Sequence, residues 1–444
     1  MPRLNSMLIC LCLSYALTLS VSAEPIAIAD YPERPAVENR IVSKRLETLL
    51  PTLMREAGID MWLVIAREYN DDPVFLSLVP KPRMTARRTT ILMFHDRGDA
   101  GVERLTISRY PLGELYEAAW EGGDLDAQWR RLASIIAEKQ PTRIGINVSD
   151  QWPVADGLSH GLHTKLIAAL SDDDAAKLVS ADQLIVRWME TRIPDEVEIW
   201  QRAVAIARHT IARAFSNEVV TPGVTTIDDV AWFIRREFEA NGLAPWFQPD
   251  VNVQRPGSYD EAAPFFGEYA PDTIIRRGDI LHTDVGLCYL ALCTDTQEMG
   301  YVLRLGEHAA PEGLKNAMAV GNQWQDLLTS EFKTGRTGNE ILAAAQRAMK
   351  RAGLDQAIYT HPLGLYGHAP GPTIGMWDNQ GPTIGRGDWP LYANTGYAIE
   401  GNVKVRVPEF DNHLVQMKLE QSAFFDGTEV HYLADRQTAL HIVR

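Results

Sequence analysis

Two aspartates, Asp284 and Asp295, stand in the apolar run LHTDVGLCYLALCTDT (281–296). The pattern around a tight turn at Tyr289-Leu290 predicts a β-hairpin in which the two carboxylates face each other. Like charges at facing positions destabilise a sheet, and desolvating an unpaired anion is costly. We therefore expect these acids to be protonated, paired with cations or bound to a metal.

A second pair of acids occurs downstream in strand-like surroundings. GYAIEGNVKVRV (396–407) carries Glu400, and LVQMKLEQSAFF (414–425) carries Glu420. If these runs pair across the short loop between them, Glu400 lies opposite Glu420. Either pair alone would also suit a solvated sheet edge, but two pairs in apolar contexts favour a buried cluster. Divalent cations with oxygen ligands fit four carboxylates better than the single nearby Lys418 does.

A loop rich in glycine and proline offers a nitrogen ligand. THPLGLYGHAPGPTIGMWDNQGPTIG (360–385) contains His361 and His368. A lone loop histidine is usually a polar surface residue. Two histidines within eight residues, in the half of the chain that carries the second acid pair, favour a role in a metal site.

The elements that must position these residues show an internal repeat. The segments 223–242 and 335–353 each place a threonine, Thr225 or Thr337, three residues before an acid, and then run in a helical pattern to a glycine. Such capping signals are common, so a chance match is the alternative. Two half-units of helices backed by strands predict an α+β domain with pseudo-twofold symmetry and a site between the halves.

The preceding part of the chain has a different pattern. Short apolar runs, MWLVIA (61–66), TTILMF (89–94) and RIGINV (143–148), alternate with helical stretches and predict a smaller α/β domain. It contains no glycine-rich phosphate loop and no clustered histidine or cysteine, so we assign it no chemistry. We place the two domains at 31–190 and 191–444, because RIPDEVEIW opens a new helix.

The first 23 residues predict a signal peptide, with Arg3 as its basic end, an apolar stretch over 7–21 and a small-residue cleavage site ending at Ala23. A membrane anchor is the alternative, but the apolar stretch is short for a bilayer. We expect an exported protein, periplasmic or secreted, with no stable membrane anchor. The balance of 43 basic and 58 acidic residues argues against nucleic acid as a partner.

Cleavage of the signal would remove Cys10 and Cys12 and leave Cys288 and Cys293. Export permits a disulfide. In the predicted hairpin, however, Cys293 faces Gly286 rather than Cys288. We therefore expect two buried thiols.

These motifs together resemble the pita-bread metallopeptidases, the family of methionyl aminopeptidase, prolidase and Xaa-Pro aminopeptidase. The resemblance lies in the ordered segments DILHTDVGLCYLALCTD, YGHAPG, YAIEGN and MKLEQ. The N-terminal α/β region and the RIPDEVEIW junction are similar to the creatinase and Xaa-Pro aminopeptidase branch. The resemblance implies a pita-bread catalytic domain after a creatinase-like N-terminal domain.

The resemblance also implies a dinuclear centre of manganese, cobalt or zinc. Asp284 would be a terminal ligand of one ion, Asp295 and Glu420 would bridge both ions, and His368 with Glu400 would complete the other. The two divalent ions between the carboxylates would then offset the repulsion among them. Glu400 would also take a proton from the bridging water, whose hydroxide attacks the peptide carbonyl, and pass that proton to the leaving nitrogen.

The pocket departs from the family pattern. Xaa-Pro enzymes usually carry a histidine about seven residues after the metal histidine, where this chain has Gly375, and another before the first metal aspartate, where it has FGEY (266–269). We expect His361 to act catalytically as a donor, either to the substrate or to a ligand of the metal, with loop capping as the alternative. Three aromatic residues are expected to wall a pocket for a proline ring, or else belong to the core: Trp246, Tyr366 and Trp377.

The expected function is therefore that of an Xaa-Pro aminopeptidase or dipeptidase, acting as a homodimer on short proline-containing peptides. A creatinase-like amidinohydrolase shares the architecture without using metal, although five intact ligands argue against it. A non-catalytic pita-bread binding protein is the third possibility, because the expected pocket histidines are missing.

Overall fold

The computed structural model describes residues 28–444. The predicted signal peptide (1–23), with Cys10 and Cys12, lies outside the described residues. Within 28–444, no helix combines the length and apolar character that crossing a membrane requires.

The first unit contains a mixed six-stranded sheet with helices on both faces. Its strands are β1 (Met61–Arg67), β2 (Thr89–Asp96), β3 (Val102–Ser108), β4 (Glu117–Ala118), β5 (Ile144–Ile146) and β6 (Leu178–Ser180). Its helices are α1 (Arg34–Thr48), α2 (Leu50–Glu56), α3 (Leu125–Lys139), α4 (His160–Ala169), α5 (Asp172–Ala175) and α6 (Asp182–Glu190). The strand order is β4-β3-β2-β1-β5-β6. The three apolar runs predicted as strands form β1, β2 and β5.

Strand β1 shows why this sheet is buried on both faces. Trp62 and Val64 enter one core with α1, α2 and α6, whereas Leu63 and Ile65 enter a second core with α3 and α4. Successive side chains of a strand point to opposite faces, so an unbroken apolar run is what a sheet covered on both sides requires. The predicted α/β character of this unit is confirmed.

The second unit is built on a nine-stranded sheet. Its helices are α7 (Pro194–Ala214), α8 (Ile227–Ala240), α9 (Glu312–Thr329) and α10 (Gly338–Arg351). Its strands are β7 (Ala244–Pro245), β8 (Asp250–Gln254), β9 (Ile280–Val285), β10 (Leu287–Tyr289), β11 (Leu292–Cys293), β12 (Thr296–Val302), β13 (Asp355–Ile358), β14 (His361–Leu363), β15 (Thr395–Val407), β16 (His413–Phe425), β17 (Val430–Tyr432) and β18 (His441–Val443). The main path runs β13-β15-β16-β12-β9-β8, and β14, β17 and β18 pair beside it.

The predicted internal repeat corresponds to α8 and α10. Thr337 accepts the backbone N–H of Glu340 and starts α10 as predicted. In α8 the cap is Thr226 rather than Thr225, because the Thr225 hydroxyl donates to the carbonyl of Val219 instead. Each helix is followed by a glycine with positive φ, at positions 242 and 353. The two halves therefore use the same start and stop signals around one sheet, as an α+β unit with internal symmetry requires.

The hairpin between β9 and β12 differs from the prediction in register. Its turn lies at Leu290 and Ala291, which have φ of 49° and 66°, one residue later than predicted. Consecutive positive φ values are typical of the two-residue turns that join antiparallel strands. The pairing consequently shifts by two residues, so Cys288 faces Cys293 and the two form a disulfide. The expectation of two free thiols was wrong.

A buried ion pair joins the two units. Arg45 of α1 donates to Glu196 of α7 over 2.7 Å, and Arg192 donates to the other oxygen of the same carboxylate over 2.7 Å. Both guanidinium groups are buried, so each depends on this shared acid. The Tyr366 hydroxyl also donates to the carbonyl of Pro73 over 2.8 Å. These contacts bring loops of the first unit against the loop region of the second.

Candidate active site

Strand pairing brings both acid pairs to one place. Glu400 on β15 faces Glu420 on β16, as predicted from the hydrophobic pattern. Asp284 on β9 faces Gln297 on β12, and Gln297 in turn faces Glu420. The predicted pairing of Asp284 with Asp295 was therefore wrong by two residues. A shift by two keeps a side chain on the same face of the sheet, so both aspartates still join the cluster.

The cluster has His361 at its centre. Its Nε2 atom lies 3.6 Å from an oxygen of Asp295, 3.6 Å from Glu400 and 3.5 Å from Glu420. Ligand atoms of Asp284, Asp295 and Glu420 also lie within 4.8 Å of one another. Three carboxylates from strands β9, β15 and β16, a fourth from just before β12 and one imidazole therefore form one compact group.

Burial dominates the electrostatics of this group. It raises the pKa of Asp284 to about 7 and raises the pKa values of Asp295, Glu400 and Glu420, with repulsion among the neighbouring carboxylates adding to it. Burial also lowers the pKa of His361 to about 3. The protein alone therefore opposes the ionised form of every acid here.

The hydrogen bonding of the cluster fits a bound cation. Nδ1 of His361 lies 3.2 Å from the carbonyl oxygen of Pro362, which only accepts, so Nδ1 carries the proton and the Nε2 lone pair faces the carboxylates. Within residues 28–444 this Nε2 atom, both oxygens of Glu420 and one oxygen each of Asp284 and Asp295 are buried without a hydrogen-bond partner. Converging acceptors without donors are the environment that a metal ion satisfies.

His368 lies at the edge of this cluster. Its ring centroid is 4.5 Å from that of His361 and 5.1 Å from that of Trp246, and the side chain is exposed. It forms a possible metal-binding triad only together with Asp295 and His361. The geometry thus places His361, rather than His368, among the acids.

A cavity of about 380 Å³ opens beside the two histidines. The loops of the first unit contribute one apolar wall, and the glycine- and proline-rich loop of the second contributes the other. Its lining includes Pro73, Trp152, Pro153, Tyr359, His361, Tyr366, His368 and Met376. The first unit, to which the sequence analysis assigns no chemistry, therefore forms part of the pocket wall.

The three predicted aromatic residues have different positions. Tyr366 lines the cavity, whereas Trp377 lines a separate hollow with Phe265. Trp246 lies against Gly367, where a Cβ atom would come within 2.2 Å of the indole ring. Glycine is therefore required at position 367 for the indole to support His368 from behind.

Arg386 gives the cavity a positive charge. It lines the cavity near His368, and its charge adds to burial in lowering the pKa of that imidazole. Among residues 28–444 it has no acidic partner within 4.0 Å. A guanidinium without an acid is suited to binding the carboxylate of a ligand.

Sequence reasoning missed Arg386, Trp152 and Gln297. Gln297 lies two residues after Asp295, so strand alternation does place it on the same face and could have found it. Arg386 begins a single 3₁₀ turn and Trp152 lies in a loop of the other unit, and neither place carries a periodic signal.

The sequence comparisons agree with this geometry. Residues 198–405 match the model of metallopeptidase family M24. No curated protein matches the chain. The family match spans three of the cluster acids, Asp284, Asp295 and Glu400, together with His361.

Solved structures of similar fold cover nearly the whole chain. An X-Pro aminopeptidase of Thermotoga maritima has a TM-score of 0.62 at 18% identity, over 88% of this chain and 100% of its own. A Xaa-Pro dipeptidase of Bacillus anthracis has 0.59 at 17%, over 90% and 99%. A prolidase of Pyrococcus furiosus has 0.56 at 16%, over 87% and 99%.

A sheet with paired helical halves and a central cluster of acids around one histidine defines a pita-bread metallopeptidase. The chain has the fold of this class, and residues 198–405 are similar to metallopeptidase family M24. The predicted resemblance and the predicted fold class are confirmed.

Proposed function

We propose that this protein is an exported metallo-exopeptidase that hydrolyses short peptides at Xaa-Pro bonds with two divalent ions. The observation that carries the proposal is the buried cluster around His361, in which five acceptor atoms have no hydrogen-bond partner among the described residues. Family M24 is a metallopeptidase family, and proteins of similar fold are named for action on Xaa-Pro substrates.

We assign five metal ligands: Asp284, Asp295, His361, Glu400 and Glu420. The sequence predicted His368 as the metal ligand and His361 as the donor, and this set reverses those two roles. His361 is buried and its free Nε2 atom faces three of the acids, whereas His368 is exposed. With His361 as the ligand, the histidine expected seven residues later is present as His368.

When bound, two divalent ions supply a water of lowered pKa and polarise the scissile carbonyl. The chain's own residues then handle the proton and the substrate. Glu400 has a raised pKa and is positioned to accept a proton and deliver it to the leaving nitrogen. His368 reaches the cavity and is positioned to donate to the substrate carbonyl.

The cavity supports a preference for proline and a free C-terminus. Trp152, Pro153 and Tyr366 provide apolar surface for a pyrrolidine ring. Arg386 provides a counter-charge for the carboxylate that a dipeptide carries immediately after that ring. A dipeptide ending in proline therefore satisfies both features, and we favour dipeptidase activity.

Export is supported by two features of the chain. The signal pattern of residues 1–23 directs secretion. The disulfide between Cys288 and Cys293 forms readily in an oxidising compartment.

One experiment tests the site and the substrate together. Metal content would be measured on purified protein, alongside turnover of Xaa-Pro dipeptides, longer Xaa-Pro peptides and creatine, with added manganese, cobalt or zinc. We expect close to two ions per chain and turnover of dipeptides. Creatine turnover without metal would instead identify an amidinohydrolase, and bound metal without turnover of any peptide would contradict the peptidase.

A further inference from the structure

A buried amide joins carboxylates from the two halves of the cluster. Gln297 on β12 is 6% exposed. Its Nε2 atom lies 3.1 Å from Oδ2 of Asp284 and 2.8 Å from Oε1 of Glu400. Its Oε1 atom lies 2.9 Å from Nε2 of His282. Every hydrogen-bonding atom of this side chain therefore has a partner.

The orientation of the amide follows from the chemistry of its partners. With cations bound, both carboxylates are ionised and only accept, so the NH₂ group of Gln297 must face Asp284 and Glu400. Its carbonyl oxygen then faces His282, whose Nε2 atom must carry the proton. His282 is 4% exposed and is fixed between strands, so it holds the amide in this one orientation.

The contacts also select which carboxylate oxygens remain available. Gln297 occupies Oδ2 of Asp284 and Oε1 of Glu400. The other oxygen of Asp284 is buried without a partner among the described residues, and the other oxygen of Glu400 faces His361 at 3.6 Å. One oxygen of each acid is thus left directed at the cluster.

Through its position in the sheet, Gln297 links two acids on strands that are not adjacent. Asp284 lies on β9 and Glu400 on β15, and β12 and β16 separate these strands. Gln297 reaches one acid on the adjacent strand and the other across β16. The sheet backbone alone does not connect these two side chains.

We propose that Gln297 is a positioning residue that sets the separation of Asp284 and Glu400, and that His282 orients its amide. The inference rests on the proposed function and on the ligand roles that the family resemblance implies, in which Asp284 and Glu400 hold different ions. Gln297 thereby couples the two ion sites. Outer partners that hold a metal ligand in place contribute about 10- to 100-fold to metal affinity.

The test is a calorimetric titration of manganese into the metal-free full chain. Gln297→Met keeps the side-chain length but removes both donors, and we expect affinity for at least one ion to fall about 10- to 100-fold. His282→Phe should weaken binding in the same direction. His282→Gln should restore part of it, because its amide N–H can donate to Gln297.

Gln421→Met is the matched control. Gln421 is an equally buried amide at 2% exposure, but it bonds Gln325 and the backbone of Gln297 rather than the acids. We expect it to lower thermal stability and leave manganese affinity unchanged.

The outcomes distinguish a failure of the proposed function from a failure of the inference about Gln297. Wild-type protein that binds no manganese would overturn the proposed function and this inference with it. Normal binding by wild type, with Gln297→Met and His282→Phe no weaker than Gln421→Met, would overturn the inference alone. The His282 pair keeps the test decisive if Gln297→Met does not fold.

Discussion

At the scale of single residues, the site depends on side chains whose protonation equilibria differ from those they have in water. The acids of the cluster have raised pKa values, and His361 is a neutral imidazole whose Nδ1 proton is already donated. Without a cation, burying these groups without hydrogen-bond partners costs free energy. A bound cation offsets that cost, because their lone pairs already point towards it.

Glu400→Gln should abolish turnover. The amide has the size of the carboxylate but cannot accept the proton of the attacking water, and general acid–base groups contribute roughly 10²- to 10⁴-fold to rate. Steady-state kinetics on an Xaa-Pro dipeptide would check this, with metal content measured in parallel. A variant that binds metal and keeps near-full activity would contradict the role of Glu400.

Arg386→Met should raise KM for dipeptides with a free C-terminus by about 10- to 100-fold, because a charge-assisted hydrogen bond contributes roughly 1.5–3 kcal/mol. The same change should have little effect on the corresponding peptide amides, which lack the anion. Arg351→Met, an exposed arginine on α10, is the control. Equal losses on acids and amides would argue against carboxylate binding.

Asp72 makes the stability of the first unit depend on pH. Burial raises its pKa to about 6, although Val74 and Asn147 donate to its carboxylate. The folded state thus favours the protonated form over the unfolded chain, whose pKa is about 3.9. This contribution to stability is present below that value and is lost as pH rises through about 6.

We therefore expect the free energy of unfolding to fall by at most about 3 kcal/mol from this group as pH rises from about 4 to 7. Asp72→Asn should reduce that slope, even if it lowers stability at every pH by disturbing the Asn147 contact. Urea unfolding at several pH values would measure both. An unchanged slope would show that Asp72 does not titrate in this range.

At the scale of elements, the hairpin of β9 and β12 carries two of the proposed ligands and is closed at its tip by the disulfide. Cys293 also donates its backbone N–H to the carbonyl of Gly364, and Trp200 donates to the carbonyl of Cys293. The tip is therefore anchored both within the hairpin and to the loop that carries the histidines.

Replacing Cys288 and Cys293 together by serine should lower the free energy of unfolding by roughly 2 kcal/mol, since the disulfide closes only a short loop. Thermal unfolding with and without reductant would measure this. Reductant should destabilise the wild type and leave the variant unaffected. If reductant affects both equally, its action lies elsewhere in the protein.

At the scale of the whole molecule, the site is assembled from parts distant in the chain. Its proposed ligands lie on β9, β14, β15 and β16 and just before β12, and one wall of the cavity belongs to the other unit. Only the folded protein brings these groups together, so metal binding and folding are thermodynamically linked.

Removing metal with a chelator should therefore lower the melting temperature of the full chain, and adding manganese should restore it. At a free metal concentration of about 100 times Kd, binding adds roughly 2.7 kcal/mol of stability. Differential scanning calorimetry would follow the shift, with calcium as a comparison cation. A melting temperature that is insensitive to chelation and manganese would contradict the metal centre.

The sequence by itself determined the acids of the site and the alternation of their strands. Burial on a pleated sheet imposes a two-residue period, and that period keeps Asp284 and Asp295 on one face for the predicted and for the observed two-residue turn. It also predicted the facing of Glu400 and Glu420, because the hydrophobic pattern of two long strands allows one good register.

Only the tertiary structure decided the rest. The hairpin turn, and with it the disulfide, depended on a local backbone conformation at Leu290 and Ala291 that leaves no periodic signal. Loops and packing between the units decided which histidine lies among the acids, and they placed Arg386 and Trp152 in the cavity wall. Such contacts join residues far apart in the chain, and short-range patterns carry no information about them.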